Sequence, residues 1–255
     1  MKNKNTVFVY IPTLIDAFYA PTAWDFVEFL QLFHFDVKYP ASQADIGRYF
    51  YEAGQLEDAI ILANKFIQEF SEAEMLAMMN YEDIRYVLDV MPKLSSAIKY
   101  ANNLKRIIYA VKNWVSWFHR FMENPPTLKL PEERKILFYT HIRPSELMGD
   151  TVKWSSLFDA CRGLHYTLAP PLLLPPVGDM YFAYMYPELS NGILQVWLDY
   201  MQKNRFEILI TTEPEAMFLF NAYLQDKNTN ISVYHLINLL KPSVAAETKT
   251  ATEIS

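Results

Sequence analysis

The chain has 255 residues, of which 51% are hydrophobic, 15% aromatic and 20% charged, and its formal net charge is −6. That length sustains one large or two small cores, and that hydrophobic content excludes a disordered chain. The acidic balance gives no electrostatic footprint for nucleic acid or an anionic membrane, and the single cysteine, Cys161, excludes an intramolecular disulfide or an all-cysteine iron–sulfur or zinc site within this chain.

Val7 to Ile11 (VFVYI) is a continuous β-rich run, as expected of a strand buried on both faces of a parallel sheet. Ended by Pro12, it is too short for a signal peptide, and no window is long and uncharged enough to span a bilayer. A soluble, cytoplasmic protein is the expectation. Pro21 opens a helix over Thr22 to Phe33, and Phe35 to Pro40 is a second strand. Leu56 to Phe70 is a strong amphipathic helix, and Ala73 to Met79 is a third strand despite its helical propensity. From Ile84 to Met122 the chain reads as helix, broken at Pro92, and the proline-rich stretch Glu123 to Arg134 reads as a connector.

The rhythm then begins again. Lys135 to Ile142 is a strand, Thr151 to Cys161 a helix, and Gly163 to Ala169 a strand. Pro187 to Asn204 is a helix, Phe206 to Thr212 a buried strand, Pro214 to Gln225 a helix, and Asn230 to Leu236 a strand that runs into a short helix. This order predicts an α/β fold of two similar Rossmann-like halves with parallel sheets, residues 1–90 and 135–242. A helical and proline-rich connector, 91–134, joins them, and 243–255 is a small, polar, disordered tail.

Several short words in this frame resemble the cysteine-rich CCG-domain family, which includes the lactate-utilisation protein A subunit, the iron–sulfur subunits of glycolate and glycerol-3-phosphate oxidation, and the CCG-bearing subunit of heterodisulfide reductase. The segment QADIGRYFYEAG, Gln43 to Gly54, keeps Gln43, Gly47 and Gly54 of the family's first motif but has Asp45 and Ile46 in its two cysteine columns. The next column falls at Asp83. In the second half, Phe138 to Arg143 (FYTHIR) is similar to a strand-end motif with Ile142 in its cysteine column. Pro175-Pro176-Val177 stands for the second CCG, with Pro175 and Pro176 in the cysteine columns. Tyr186 to Ser190 (YPELS) is similar to the family's Phe-Pro-Glu-Ile-Ser, and in Thr212 to Ala216 (TEPEA) Ala216 takes the last ligand column. The resemblance implies two cluster-binding halves, yet no thiolate remains in these seven columns, and carboxylates are poor substitutes at such sites. The expectation is a relative without a cofactor.

Asp45, Arg48 and Asp83 are candidates for a polar pocket at the carboxyl ends of the first sheet, where open α/β sheets bind ligands. The alternative is solvated loop residues or one residual ion pair. His141 and Arg143, with Glu146 nearby, end a buried strand and are candidates for anion binding or acid–base work, but no nucleophile pairs with them. Glu213 and Glu215 answer a helix dipole. Two aromatic segments are candidate interfaces. Trp114, Trp117, Phe118 and Phe121 exceed what a single stripe buries, and Tyr181 and Tyr184 lie in a proline-stiffened segment that either docks a partner or fills a vacated cofactor space. Cys161 is a buried small residue near the end of a helix.

These readings imply a non-catalytic structural or assembly subunit of an electron-transfer or organic-acid oxidation complex, with iron–sulfur or flavin proteins, or further copies of itself, as partners. A small-molecule-binding or sensing protein that uses the former cluster cavity is the alternative.

Overall fold

The computed structural model of the chain describes residues 6–123, 125, 128–140, 154–170 and 173–240, which form two compact α/β units. The first unit holds the described residues up to 123. Its three-stranded sheet has the order β2-β1-β3, all parallel, from β1 (Thr6–Tyr10), β2 (Asp36–Lys38) and β3 (Leu76–Met78). α1 (Thr13–Phe18) and α2 (Ala20–Leu32) link β1 to β2, and α3 (Arg48–Glu52) and α4 (Leu56–Glu69) link β2 to β3. The order 2-1-3 puts a topological switch point at the carboxyl ends of β1 and β3.

β1 forms because its alternate Val7 and Val9 are fully buried, while Tyr10 meets Phe66 of α4 and Phe8 and Tyr10 both meet Phe70 just after it, edge-on at 5.5–6.3 Å. After β3 the chain does not run on as one helix. α5 (Tyr81–Arg85), capped by the Asn80 side chain, passes into a π-helical turn (Tyr86–Val90) and a 3₁₀ turn (Met91–Leu94). Pro92 stands inside that 3₁₀ turn, where it cannot donate to a continuing α-helix. α6 (Ala101–Glu123) follows and packs on β3, so the stretch expected as a connector is divided: residues up to 123 belong to the first unit, and 128–134 begin the long strand of the second.

The second unit repeats the plan with one more strand. Its parallel sheet has the order β5-β4-β6-β7, from β4 (Leu128–Tyr139), β5 (Cys161–Leu168), β6 (Ile208–Thr211) and β7 (Ser232–His235). α7 (Trp154–Asp159) precedes β5, α8 (Met180–Met185) and α9 (Pro187–Lys203) precede β6, and α10 (Pro214–Leu224) precedes β7. Residues 236–240 then form a helical turn. Leu137, Leu209 and Val233, in register on one face, and Phe138 and Ile210, on the other, are buried, as a sheet covered on both faces requires. Cys161 opens β5 and is not in the preceding helix, which ends at Asp159; it is buried, as expected. Among the described residues no helix is long and apolar enough to cross a membrane.

Candidate functional site

The loop from Ser42 to Gly47 lies across the carboxyl end of β1 and is fastened there by side chains. The Gln43 carboxamide makes a reciprocal pair with the backbone of Ile11: Oε1 accepts from the Ile11 N–H at 2.9 Å, and Nε2 donates to the Ile11 carbonyl. Glu69, at the end of α4, accepts from the Ser42 hydroxyl at 2.6 Å and from the Ala44 N–H at 2.9 Å. Asp45 uses both oxygens, accepting from the Gly47 N–H at 2.7 Å and the Thr13 hydroxyl at 2.8 Å. Ile46 is buried. Gly47 has φ +87°, and a Cβ there would sit 2.6 Å from the Ala59 carbonyl oxygen, so the loop meets α4 where only glycine fits.

Arg48, the first residue of α3, is 3% exposed, and so is Asp83 of α5. Arg48 Nε lies 2.7 Å from Asp83 Oδ1, Nη1 lies 3.1 Å from Glu52 Oε1, and the guanidinium stands 4.3 Å over the Tyr49 ring. A buried charge pair survives only with good geometry and further polar contacts, and the Glu52 and Tyr49 contacts supply them. Tyr10, the last residue of β1, is wholly buried beside this cluster. Burial, then Asp83 and Asp45, pushes its hydroxyl well above the ordinary phenol range, against the Ile46 backbone as a hydrogen-bond partner.

The second unit makes a related arrangement. Tyr139, the last residue of β4, accepts from the Val177 N–H at 3.2 Å and hydrogen-bonds the Glu213 carboxylate; burial first, and Glu213 second, raises its pKa. Trp197 of α9 donates Nε1–H to the Pro175 carbonyl at 2.9 Å. Thr212 donates to Thr140 at 3.0 Å. His235, at the end of β7, accepts at Nδ1 from the Ile237 N–H at 3.3 Å and faces the Thr212 carbonyl with Nε2 at 3.2 Å, which fixes the Nε2–H tautomer. Burial lowers its pKa to about 4, partly opposed by the Thr212 carbonyl.

Strand register relates the two units residue by residue. Tyr10 pairs with Met78 and Tyr139 with Thr211, so Asp83 and Ala216 each lie five positions beyond the partner (78 to 83, 211 to 216). In the loops, Ile46 and Val177 are both buried, each with its N–H toward a strand-end tyrosine, and the glycines that follow, Gly47 and Gly178, have φ +87° and +82°. The backbone therefore sets Pro176-Val177-Gly178 against Asp45-Ile46-Gly47, one residue later than the register Pro175-Pro176-Val177 read from the sequence. Positive φ decides this, because valine does not readily take the left-handed conformation.

Of the residues anticipated as a pocket, Asp45, Arg48 and Asp83 do come together around Tyr10, not as solvated loop residues but as one hydrogen-bonded loop and one buried ion pair. His141, Ile142, Arg143 and Glu146 lie outside the described residues. Ala216 is buried, Pro175 half-buried and Pro176 exposed. The expected interface on α6 is corrected. Trp114 and Phe121 are buried and Trp117 and Phe118 half-buried, because positions 114, 117, 118 and 121 fall on one helical face, which meets Phe26, Phe29, Phe33 and Phe35 within the same unit. Trp114 also donates to the Met78 carbonyl at 2.9 Å. Tyr181 and Tyr184 differ: they are 48% and 81% exposed, so they do not fill a vacated space. Glu213, at the N-cap of α10, and Glu215, in its first turn, do lie at the helix start, and both are buried. Tyr10, Tyr139 and His235 were missed as site residues; only their place at strand ends marked them, and they read as core aromatics or as part of a strand.

No known protein family matches the chain, and no curated protein is similar to it in sequence. Among solved structures it is similar to a hypothetical protein from Helicobacter pylori, with a TM-score of 0.63 and 14% identity over 94% of this chain. The chain spans 49% of that protein's length. An aspartate racemase homologue from Pyrococcus horikoshii has a TM-score of 0.32 at 9% identity, covering 96% of this chain and 99% of that one. The first likeness is one of fold: two Rossmann-like α/β halves over nearly the whole chain.

Proposed function

We propose that this chain is a cluster-free relative of the CCG-domain subunits that acts as a structural or assembly subunit, without catalysis of its own, in a cytoplasmic electron-transfer or organic-acid oxidation complex. The observation that carries this reading is that four of the columns the resemblance assigns to cluster ligands are taken by engaged or buried groups. Asp45 is engaged by Thr13 and the Gly47 N–H, Asp83 is held by Arg48, and Ile46 and Ala216 are buried apolar groups; in the second loop Val177, next to the Pro175 and Pro176 columns, is buried as well. Cores survive the loss of a cofactor when side chains take up its volume, and a frame kept in this way retains its surfaces for docking. The exposed Tyr181 and Tyr184 support a partner surface on the second unit, since tyrosines are enriched in interface cores.

The test is anaerobic purification of the tagged protein from its native host, with mass spectrometry of co-purifying chains and a visible spectrum. Stoichiometric iron–sulfur or flavin subunits, with no iron bound by the isolated chain, are expected. A chain that purifies alone and colourless overturns the reading.

A further inference from the structure

Outside the closed loop, the first unit has a second polar feature that this reading does not use. A cavity of about 650 Å³ opens between α3, α5 and the two turns that follow α5, within the usual size range of small-ligand pockets. Its origin is local: the π-helical turn Tyr86–Val90 widens the helix, and the 3₁₀ turn containing Pro92 carries the chain away. Such π-turns recur at functional sites.

The charges that line the cavity fall into two sets. Arg48 is shared by Asp83 at 2.7 Å and Glu52 at 3.1 Å, and Arg85 lies 3.5 Å from Glu82, so each of these four lining charges already has an ion-pair partner. Asp89 and Lys93 remain, both exposed, neither with an ion-pair partner among the described residues. One free carboxylate and one free ammonium therefore face a common space. At the inner end Tyr51 and Tyr86 form an edge-on pair at 5.7 Å. Tyr86 is buried, and its hydroxyl has no hydrogen-bond partner among the described residues. A buried polar atom left unsatisfied is costly, and a ligand in the cavity is one way to satisfy it.

We propose that this cavity binds a small zwitterion of the α-amino-acid class with a planar side chain. Lys93 takes the carboxylate, Asp89 takes the ammonium, and the Tyr51–Tyr86 wall takes the side chain. A simple anion or cation satisfies only half of this arrangement and leaves the other charge facing an apolar or like-charged group. The proposal is independent of the subunit reading, since it uses neither the closed loop nor the second unit.

Isothermal titration of the full chain with L-phenylalanine, L-tyrosine and L-tryptophan tests it, with 3-phenylpropionate and phenethylamine as probes that lack the ammonium and the carboxylate. At least one amino acid is expected to bind saturably, and its singly charged analogues several-fold more weakly. Lys93→Ala and Asp89→Ala, at exposed positions that leave the core untouched, should each weaken binding about threefold to fivefold, the scale of one part-exposed charge pair. Tyr86→Phe removes only the hydroxyl and should weaken binding of L-tyrosine or L-tryptophan, whose side chains carry a hydrogen-bonding group, but not of L-phenylalanine, without loss of thermal stability. No saturable binding of any of the three amino acids up to about 10 mM overturns the proposal. Affinities indifferent to both charge substitutions, or equal for phenylalanine and 3-phenylpropionate, overturn it as well.

Discussion

At His235 burial outweighs hydrogen bonding: desolvation disfavours the imidazolium more than the Thr212 carbonyl favours it, and the pKa falls to about 4 from an ordinary value of 6.5. Protonation also removes the Nδ1 acceptor that the Ile237 N–H uses. Because the folded pKa lies below the unfolded one, the unfolded chain binds more protons between these values. Stability is fully present above pH 6.5 and falls as pH drops toward 4, by at most about 3 kcal/mol. Urea unfolding at a series of pH values should show this slope, and His235→Asn should flatten it; a profile unchanged by the substitution would count against it. Arg48 presents a different balance. Arg48→Ala removes the guanidinium beside a buried Asp83 carboxylate and should cost about 3–5 kcal/mol, whereas pairing Arg48→Met with Asp83→Leu should recover most of the loss. Chemical denaturation of the single and double variants checks this. A single-variant cost under about 1 kcal/mol would show that the pair behaves like a surface one.

The turns that place the loops depend on glycines with unequal surroundings. Gly54, Gly178 and Gly47 all have positive φ, so alanine costs about 1 kcal/mol at each from backbone strain alone. Gly54 has open space around it. At Gly178 a Cβ meets the Phe182 ring at 2.7 Å, a side chain that can move, and at Gly47 it meets the Ala59 backbone oxygen at 2.6 Å, which cannot move without displacing α4. Destabilisation should therefore rise in the order Gly54→Ala, Gly178→Ala, Gly47→Ala, with the last above about 2 kcal/mol; thermal midpoints of the three variants would reveal any other order. These turns also mark the limit of what was readable beforehand. β1 and β6 were visible as continuous apolar runs, and α4 and α9 as long periodic ones, since burial on one face imposes its period on the sequence. α3 and α8, at five and six residues, are too short to impose one, and their helical form follows from the glycine turns before them. The α6 aromatics at 114, 117, 118 and 121 carried a legible helical period, but a period does not reveal whether the apolar face meets a neighbour in the same unit or a partner. The polar cluster was half legible: Asp45, Arg48 and Asp83 stood out as charges in a strand-end setting, while Tyr10 and Tyr139 resembled the other core aromatics.

Over the whole chain the repeat extends beyond topology to a polar device made twice. Each central strand ends in a tyrosine whose oxygen meets the N–H of a buried aliphatic residue, Ile46 or Val177, one position before a left-handed glycine, with acidic groups near the hydroxyl. The two versions differ in their acids. Glu213 hydrogen-bonds Tyr139 directly, whereas Asp83 turns to Arg48 and acts on Tyr10 through its charge. Removing the hydroxyl leaves a loop N–H short of its acceptor in both units and, in the second, leaves Glu213 short of a donor as well. Tyr10→Phe and Tyr139→Phe should therefore each cost about 1–3 kcal/mol, with Tyr139→Phe the larger. These partners of each hydroxyl lie in its own unit, so the double variant should equal the sum of the singles within about 0.5 kcal/mol. Urea denaturation followed by far-UV circular dichroism measures all three. A Tyr10→Phe cost equal to or above that of Tyr139→Phe would mean that the charge of Asp83 and Asp45 matters more at the strand end than the direct hydrogen bond to Glu213.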